Sequence, residues 1–151
     1  MMAHIRQATE ADIARIAEIE VFNYRLNFYP IFKSDYFYFK EVTVENRAEH
    51  YREELEEEPI SIYVYDDGVV KGFFHMVGCE VRKLFVEPVL QGGGIGAELL
   101  EFAVGEKGAK ELWALEKNEK AIRFYKRHGF HLTGDRKPES GTEEYLVKLE
   151  I

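Results

Sequence analysis

The spacing of apolar residues predicts two amphipathic helices in the first part of the chain. Apolar residues recur at helical spacing over 13–19, after a capping pair formed by Thr9 and Asp12. A second helical segment begins after Thr43. Between these helices, residues 22–39 are rich in Phe and Tyr, and we expect helical turns there that break near the single proline of the stretch. These aromatic side chains are expected to belong mainly to the core.

After residue 59 the apolar period changes from 3.6 to 2, which predicts strands. A hairpin is expected over 60–77 around the turn DDG, followed by a third strand that ends near Val86. A helix from about Gly94 to Lys107, a strand at 111–116, a helix at 119–128 and two final strands complete the chain. The predicted order is β-α-α-β-β-β-α-β-α-β-β. No linker or repeat divides it, so we expect a single domain over residues 1–151.

Composition and charge restrict the partners and the compartment. The chain has 151 residues, a net charge of −8 and a pI of about 5.2, so it lacks the basic field that nucleic acid requires. Such acidity also favours cationic substrates. There is one cysteine, and neither an apolar leader nor a membrane-spanning run is evident. We therefore expect a cytoplasmic protein that binds neither nucleic acid nor membranes.

The stretch LFVEPVLQGGGIGAELLEF, residues 84–102, joins a strand to a helix through a glycine-rich turn. Such a turn leaves backbone N–H groups free for an anion. A phosphate-binding P-loop requires Lys and Ser or Thr after its last glycine, whereas here Ala97 and Glu98 follow Gly96. A dinucleotide fingerprint, Gly92-x-Gly94-x-x-Ala97, is formally present, but it follows a hairpin and too little chain remains for a doubly wound sheet. A nicotinamide-binding oxidoreductase is thus a remote alternative.

Two motifs give the turn a third interpretation. Gln91-x-x-Gly94-x-Gly96-Ala97, after a strand and a proline, resembles the pyrophosphate-binding motif of the GCN5-related N-acetyltransferases (GNAT). The later pattern Asn118-x-x-Ala121-x-x-Phe124-Tyr125, followed by Gly129-Phe130, resembles the second signature of that superfamily. The resemblance covers essentially the full chain. It implies an α/β fold with a mixed, mostly antiparallel central sheet flanked by helices, in which the strand that bears Val86 splays from the strand at 113–116.

The resemblance also implies a site for acetyl-CoA. Its diphosphate would bind the free N–H groups of the turn and the positive end of the following helix dipole. The pantetheine arm would pair with backbone near Phe85 and Val86, and part of the aromatic stretch would line the acceptor pocket. The residues implied for acetyl-CoA binding are Leu84, Phe85, Val86, Gln91, Gly92, Gly93, Gly94, Ile95, Gly96, Ala97, Asn118, Phe124 and Tyr125.

Acetyl transfer to an amine poses two proton problems. The amine must lose a proton before it attacks, and the leaving thiolate gains from a proton donor. The resemblance implies Tyr125 as the donor and, by counting six residues back from Val86, Glu80 as the base. Glu80 could equally form an ion pair with Arg82 or Lys83. Glu116 and a water relay remain alternative bases.

The expected function is therefore direct transfer of acetyl from acetyl-CoA to a primary amine of a small molecule, peptide or protein. A non-catalytic acyl-CoA-binding sensor or interaction module of the same fold is the alternative. Cys79 is expected to be a core thiol, and His75 a hydrogen-bonded core residue. The histidines and the cysteine show no ligand spacing, so no metal is expected. The terminal strands offer edges through which a homodimer could form.

Overall fold

The computed structural model describes residues 4–151, and its elements follow the predicted order. The strands are β1 (Ile5–Gln7), β2 (Ile60–Asp66), β3 (Val70–Val77), β4 (Glu80–Val86), β5 (Glu111–Leu115), β6 (His131–Pro138) and β7 (Tyr145–Glu150). The helices are α1 (Ile13–Asn23), α2 (Tyr29–Phe32), α3 (Val44–Glu54), α4 (Ile95–Lys107) and α5 (Glu119–Arg127). The predicted α/β class, with a mixed and mostly antiparallel sheet flanked by helices, is confirmed.

All seven strands form one sheet in the order β1-β2-β3-β4-β5-β7-β6. Every neighbouring pair is antiparallel except β4 and β5, which run parallel. These two strands pair only at Glu80 with Glu111 and at Val81 with Leu112. Beyond those positions they separate, as the resemblance implied.

Helices cover both faces of the sheet. The adjacent residues Phe73 and Phe74 of β3 are both fully buried and belong to different apolar clusters, because successive side chains of a strand point to opposite faces. On one face Phe74 packs with Leu99 and Leu100 of α4. On the other face Phe73 packs with residues of α1 and α3.

The aromatic stretch continues the first helix instead of breaking near Pro30. A π-helical segment, Tyr24–Phe28, joins α1 to α2, and Pro30 lies in the first turn of α2. Pro30 removes one backbone N–H from this continuous helix, and the π-helical segment immediately before it is where the hydrogen-bond pattern departs from that of an α-helix. The helix ends at Lys33, whose φ of 54° is left-handed.

The sheet bears on two further expectations, the burial of Cys79 and the edges available for a dimer. Cys79 is exposed in the turn between β3 and β4, so the expected core thiol is wrong: the strand begins one residue later and alternation does not apply to the turn. The edges of the sheet are β1 and β6, since β7 lies between β5 and β6. A dimer through the last strand would therefore require β6 to move, and dimerisation stays a prediction.

Among the described residues, no helix combines the length and apolar character needed to cross a membrane.

The start of α1 is fastened to the sheet by a buried carboxylate. Asp12 accepts two hydrogen bonds from the Arg6 guanidinium, at 2.7 Å and 2.9 Å, and one from the Thr9 N–H at 2.8 Å, which completes the predicted capping box. Arg6 also bonds Asp66, at the end of β2. The hydrogen bonds from Arg6 hold the pKa of Asp12 below its ordinary value. This contact fixes the orientation of α1 over the sheet.

Asp12→Asn should therefore destabilise the fold. The change keeps the shape but weakens the cap and the bonds to Arg6, so we expect the free energy of unfolding at neutral pH to fall by about 1 to 2 kcal/mol. Because the folded pKa is depressed, the carboxylate stabilises above its unfolded pKa of 3.8, and that contribution is lost as the pH falls through the folded pKa. The difference between parent and variant should thus shrink in urea titrations at acid pH. Asp67→Asn, which removes a solvent-exposed pair with Lys71, is the control and should change little. Equal stability of parent and Asp12→Asn would contradict the anchoring role.

Candidate active site

A cleft of about 1110 Å³ opens where β4 and β5 separate. We call the two separated strand segments, residues 82–86 of β4 and 113–115 of β5, the fork. All of these residues line the cleft. Because the facing strands no longer pair, the fork presents backbone N–H and C=O groups to whatever occupies the cleft.

Side-chain amides hold the open end of β4 against α1. The Asn23 side-chain NH₂ donates to the Val86 carbonyl at 2.9 Å, and the Gln91 NH₂ donates to the same carbonyl at 3.1 Å. The Gln91 NH₂ also lies 3.0 Å from the Asn23 side-chain oxygen. Asn23 is buried. We call this three-residue arrangement the amide clamp; it connects the helix, the strand end and the glycine turn.

The glycine turn leaves an unobstructed helix N-terminus in the cleft. Gly92 and Gly94 have left-handed φ values of 89° and 91°, which explains the residue type, and a Cβ at either position would meet no heavy atom within 4 Å. The first N–H of α4 that bonds back into the chain belongs to Glu98, which donates to the Gly94 carbonyl at 3.1 Å. The N–H groups of Ile95, Gly96 and Ala97 precede it and lack a helical acceptor. These three residues line the cleft, so an anion there would meet free donors and the positive helix end.

The structure brings together nearly all of the predicted acetyl-CoA residues. Every one of them except Gly93 lines the cleft. Asn118 caps α5 by accepting a hydrogen bond from the Ala121 N–H at 3.3 Å. The ring of Phe124 packs over Gly96, since a Cβ at Gly96 would lie 3.5 Å from Phe124 Cζ. Helices α4 and α5 therefore approach closely at the turn. The two sequence motifs thus form a single surface.

Tyr125 lines the cleft from α5. Its ring packs against Phe124 and Phe130, with centroid separations of 5.3 Å and 5.9 Å. Desolvation raises the pKa of its phenol to about 12. The hydroxyl is therefore protonated at any physiological pH and can donate a hydrogen bond into the cleft.

The two carboxylates expected as bases lie outside the cleft lining. Glu80 is the first residue of β4, at the end where β4 and β5 are still paired, and its carboxylate lies 3.0 Å from the Arg82 guanidinium. Glu116 is exposed after β5 and bonds Arg136 at 2.9 Å and 3.1 Å. The geometry favours the ion-pair interpretation of Glu80 over its role as a base. Glu80 lies outside the cleft because the sixth residue before Val86 falls at the closed end of the fork, where β4 and β5 are still paired.

The other end of the cleft is aromatic. Part of the aromatic stretch faces the cleft, as expected, and its lining residues are Tyr24, Phe28, Phe32, Phe37 and Tyr38. Of these five side chains, only Tyr38 is buried. The loop between β6 and β7 adds residues 139–142, among them Glu139. Sequence reasoning missed this loop, Asn23 and the cleft-lining Lys83. Lys83 alone could have been predicted to line the cleft, because alternation along β4 places it on the same face as Phe85.

Within residues 4–151, no group of three or more His, Cys, Asp or Glu side chains is placed to hold a metal ion. His75 is buried and lies 2.9 Å from the Glu54 carboxylate. Burial lowers the pKa of His75, so its ring is neutral at physiological pH.

Comparison with known proteins agrees with both the fold and the motifs. A family profile described as an acetyltransferase (GNAT) domain matches residues 58–132. The peptidyl-lysine N-acetyltransferase YjaB of Salmonella typhimurium is 35% identical over 92 residues, which cover 56% of this chain and 63% of that protein. The match therefore spans less than two thirds of the relative.

Solved structures extend the similarity to nearly the whole fold. The apo form of YjaB from Escherichia coli aligns over 97% of this chain and 95% of its own, with a TM-score of 0.67 and 24% identity. The putative acetyltransferase yncA from Salmonella typhimurium, determined with acetyl-CoA, aligns over 97% of this chain and 91% of its own, with a TM-score of 0.68 and 23% identity. The profile match over residues 58–132 shows that the chain belongs to the GNAT acetyltransferase family.

Proposed function

We propose that this protein transfers acetyl from acetyl-CoA directly to a primary amine of a small molecule, peptide or protein. The observation that carries the proposal is the junction, in one cleft, of the fork and the open N-terminus of α4. The fork offers backbone hydrogen bonds to an extended chain that contains amides, and the N-terminus of α4 offers N–H donors to a diphosphate. Acetyl-CoA contains both groups in one molecule.

The proposed orientation of acetyl-CoA follows from these two parts. Its diphosphate would bind at Gly92–Ala97, and its pantetheine arm would pair along residues 84–86 of β4. Lys120, Arg123 and Arg127 of α5 line the same cleft and would add positive charge around the phosphates. The structure of yncA, which has a similar fold and contains acetyl-CoA, supports acetyl-CoA as the ligand. The thioester would then lie between β4 and Tyr125.

Tyr125 would assist the departure of the CoA thiolate. A phenol with a pKa of about 12 is a weaker acid than a thiol with a pKa near 8.5, so complete proton transfer to the sulfur would be uphill. A hydrogen bond from the phenol to the developing thiolate stabilises the transition state without that transfer. Tyr125 is therefore proposed as an electrostatic donor whose proton stays with the oxygen.

The acceptor would enter from the aromatic end of the cleft. YjaB is named a peptidyl-lysine N-acetyltransferase, which makes a lysine side chain the first acceptor to test. The aromatic walls formed by Tyr24, Phe28 and Phe32 suit the apolar stem of such a side chain. A cytoplasmic location is proposed with this function, since acetyl-CoA and a free, exposed Cys79 both fit a reducing compartment.

A turnover screen tests the proposal. The purified chain is mixed with acetyl-CoA and a panel of lysine peptides, free amino acids, polyamines and aryl-alkylamines, and release of the CoA thiol is followed together with acetylated product by mass spectrometry. We expect acceptor-dependent release. Tight binding of acetyl-CoA without turnover of any acceptor would instead support an acyl-CoA-binding sensor, and preference for NADH over acetyl-CoA in a fluorescence titration would revive the oxidoreductase alternative.

Gly94→Ala should weaken acetyl-CoA binding specifically. The variant places a methyl group on a left-handed residue, which costs about 1 to 2 kcal/mol of stability, and it intrudes on the proposed phosphate site. We expect a 10- to 100-fold rise in Kd, about the value of one hydrogen bond to a charged group, measured by isothermal calorimetry. Gly134→Ala is the matched control, because Gly134 has a φ of 93° and equally open surroundings but lies outside the cleft lining. Equal affinity of both variants would place the diphosphate elsewhere.

Tyr125→Phe should slow the chemical step while binding persists. The ring and its packing remain, and only the hydrogen bond to the thiolate is lost. We expect kcat to fall by about 10- to 10³-fold, with acetyl-CoA affinity changed by less than about 1.5 kcal/mol. Tyr145→Phe, on β7 outside the cleft lining, is the control and should retain its rate. A full rate in Tyr125→Phe, without a pre-steady-state burst, would show that Tyr125 only packs.

Glu80→Gln distinguishes an ion pair from a base. A general base that is removed costs about 10²-fold or more in kcat. Since Glu80 lies at the closed end of the fork and faces Arg82, we expect kcat to stay close to that of the parent. A loss of 10²-fold at an unchanged melting temperature would restore Glu80 as the base and would require the strand end to open during turnover.

A further inference from the structure

A cluster of buried charges lies behind the acceptor end of the cleft. Glu20 of α1 is completely buried, and its two oxygens lie 2.6 Å from the Arg47 guanidinium of α3 and 2.7 Å from the Lys83 ammonium of β4. The Lys83 ammonium also donates to the Tyr51 hydroxyl at 3.1 Å. Burying an ion pair is expensive, so a fully buried carboxylate with two cations is unusual for a structural role alone.

Lys83 is the cation of the cluster that can release a proton, and it also lines the cleft. It lines the cleft from the fork, next to Leu84 and Phe85, which are among the residues proposed to flank the pantetheine arm. Its side chain is only 16% exposed; its ammonium donates a hydrogen bond to the Tyr51 hydroxyl and lies in ion-pair contact, at 2.7 Å, with the Glu20 carboxylate. An ammonium carries three N–H groups, so Lys83, which lines the cleft, has capacity for a further hydrogen-bonding partner.

The charges around Lys83 allow it to lose a proton without loss of the buried pair. One carboxylate, Glu20, faces two cations, so deprotonation of Lys83 leaves Glu20 paired with Arg47. The remaining titratable groups near the ammonium are Tyr51 and Glu54 of α3 and the neutral His75, which pairs with Lys83 across β3 and β4, while Tyr24 lies near Glu20. Burial lowers the pKa of Lys83, and Arg47 adds to this effect against the attraction of Glu20.

Other groups along the cleft are less suited to accept a proton from an amine. The arginines remain charged at all relevant pH values, and Lys120 is exposed to solvent. The ring of His128 is bonded to the Phe124 carbonyl at 2.8 Å. Glu139 is the single carboxylate among the described residues that line the cleft, and it lies on the loop after β6, near Tyr38 rather than on the fork.

We propose that Lys83 is the group that removes the proton from the incoming acceptor ammonium. The proposal rests on the acetyl transfer proposed above. Neutral Lys83 takes one proton from the acceptor, R–NH₃⁺, and gives R–NH₂ and the Lys83 ammonium, which Glu20 and Tyr51 stabilise. The free amine then attacks the thioester carbonyl, the C–S bond breaks, and the CoA sulfur receives the proton that the new amide nitrogen loses. Lys83 returns its own proton to solvent before the next turnover.

Lys83→Arg separates this role from a structural one. Arginine keeps the charge and the pair with Glu20 but cannot release a proton. The acceptors are an alkylamine and its aminooxy isostere, in which oxygen replaces the methylene next to nitrogen and the nitrogen is unprotonated at neutral pH. We expect kcat/KM for the alkylamine to fall by about 10²-fold or more, while the value for the aminooxy acceptor stays close to that of the parent. Lys148→Arg, on β7 and paired with Glu111 at 3.3 Å, is the control and should alter neither.

The pH profile supplies a second readout. In the parent, kcat/KM for the alkylamine should rise as Lys83 deprotonates, whereas in Lys83→Arg the rise should move to the higher pH at which the acceptor itself ionises. Unchanged activity of Lys83→Arg with the alkylamine, or equal losses with both acceptors, would overturn the proposal and leave Lys83 as an ion-pair or positioning residue.

Direct titration keeps the inference testable whether or not the parent turns over any amine. Nitrogen NMR of the lysine side chains should show Lys83 titrating at lower pH than Lys148, whose pKa Glu111 raises. If Lys83 titrates with or above Lys148, the inference fails. If Lys83 titrates low but the parent acetylates no acceptor, the proposed function fails instead.

Discussion

The early separation of β4 from β5 is the constraint on which the rest of the structure depends. The two strands are parallel and share only two paired positions, so the backbone groups that face across the gap, on the edges not paired with β3 and β7, must find other partners. The amide clamp supplies some of them at Val86, and the cleft supplies room for the rest. A ligand that contains amides can complete the ladder as an added strand, which is a common mode of peptide recognition. The glycine turn then fixes how far along the fork such a ligand reaches.

Much of the fold followed from local patterns because each local rule agreed with the tertiary structure. Thr9, Thr43 and Asn118 cap helices as their positions predict, and Gly108 ends α4 in a left-handed conformation. The glycine turn was informative for the same reason, since left-handed backbone at Gly92 and Gly94 leaves few alternatives to glycine. The cleft-lining residues of the two motifs were predictable because they lie on two contiguous segments whose spacing carries the geometry.

The acceptor side was less predictable because it is built from residues far apart in sequence. A glutamate on an amphipathic helix indicates a solvated face, and nothing local shows that Glu20 is buried against Arg47 and Lys83. Counting along β4 reached the closed end of the fork at Glu80, because where a strand separates from its neighbour depends on the neighbour. Likewise, an irregularity in the pairing between His75 and Met76 shifts the register of β3 and β4 in a way that period-2 alternation does not reveal.

The amide clamp has a thermodynamic consequence for binding at the two ends of the cleft. Gln91 belongs to the glycine turn and Asn23 to the helix that leads into the aromatic end, and both bond the same Val86 carbonyl. A displacement of either the turn or α1 would therefore strain a hydrogen bond to the same carbonyl. If a ligand at one end of the cleft displaces the clamp, its effect on affinity at the other end is reciprocal: whatever factor the first ligand applies to the affinity of the second, the second applies to the first. A cleft joined in this way can couple the occupation of its two ends without a moving lid.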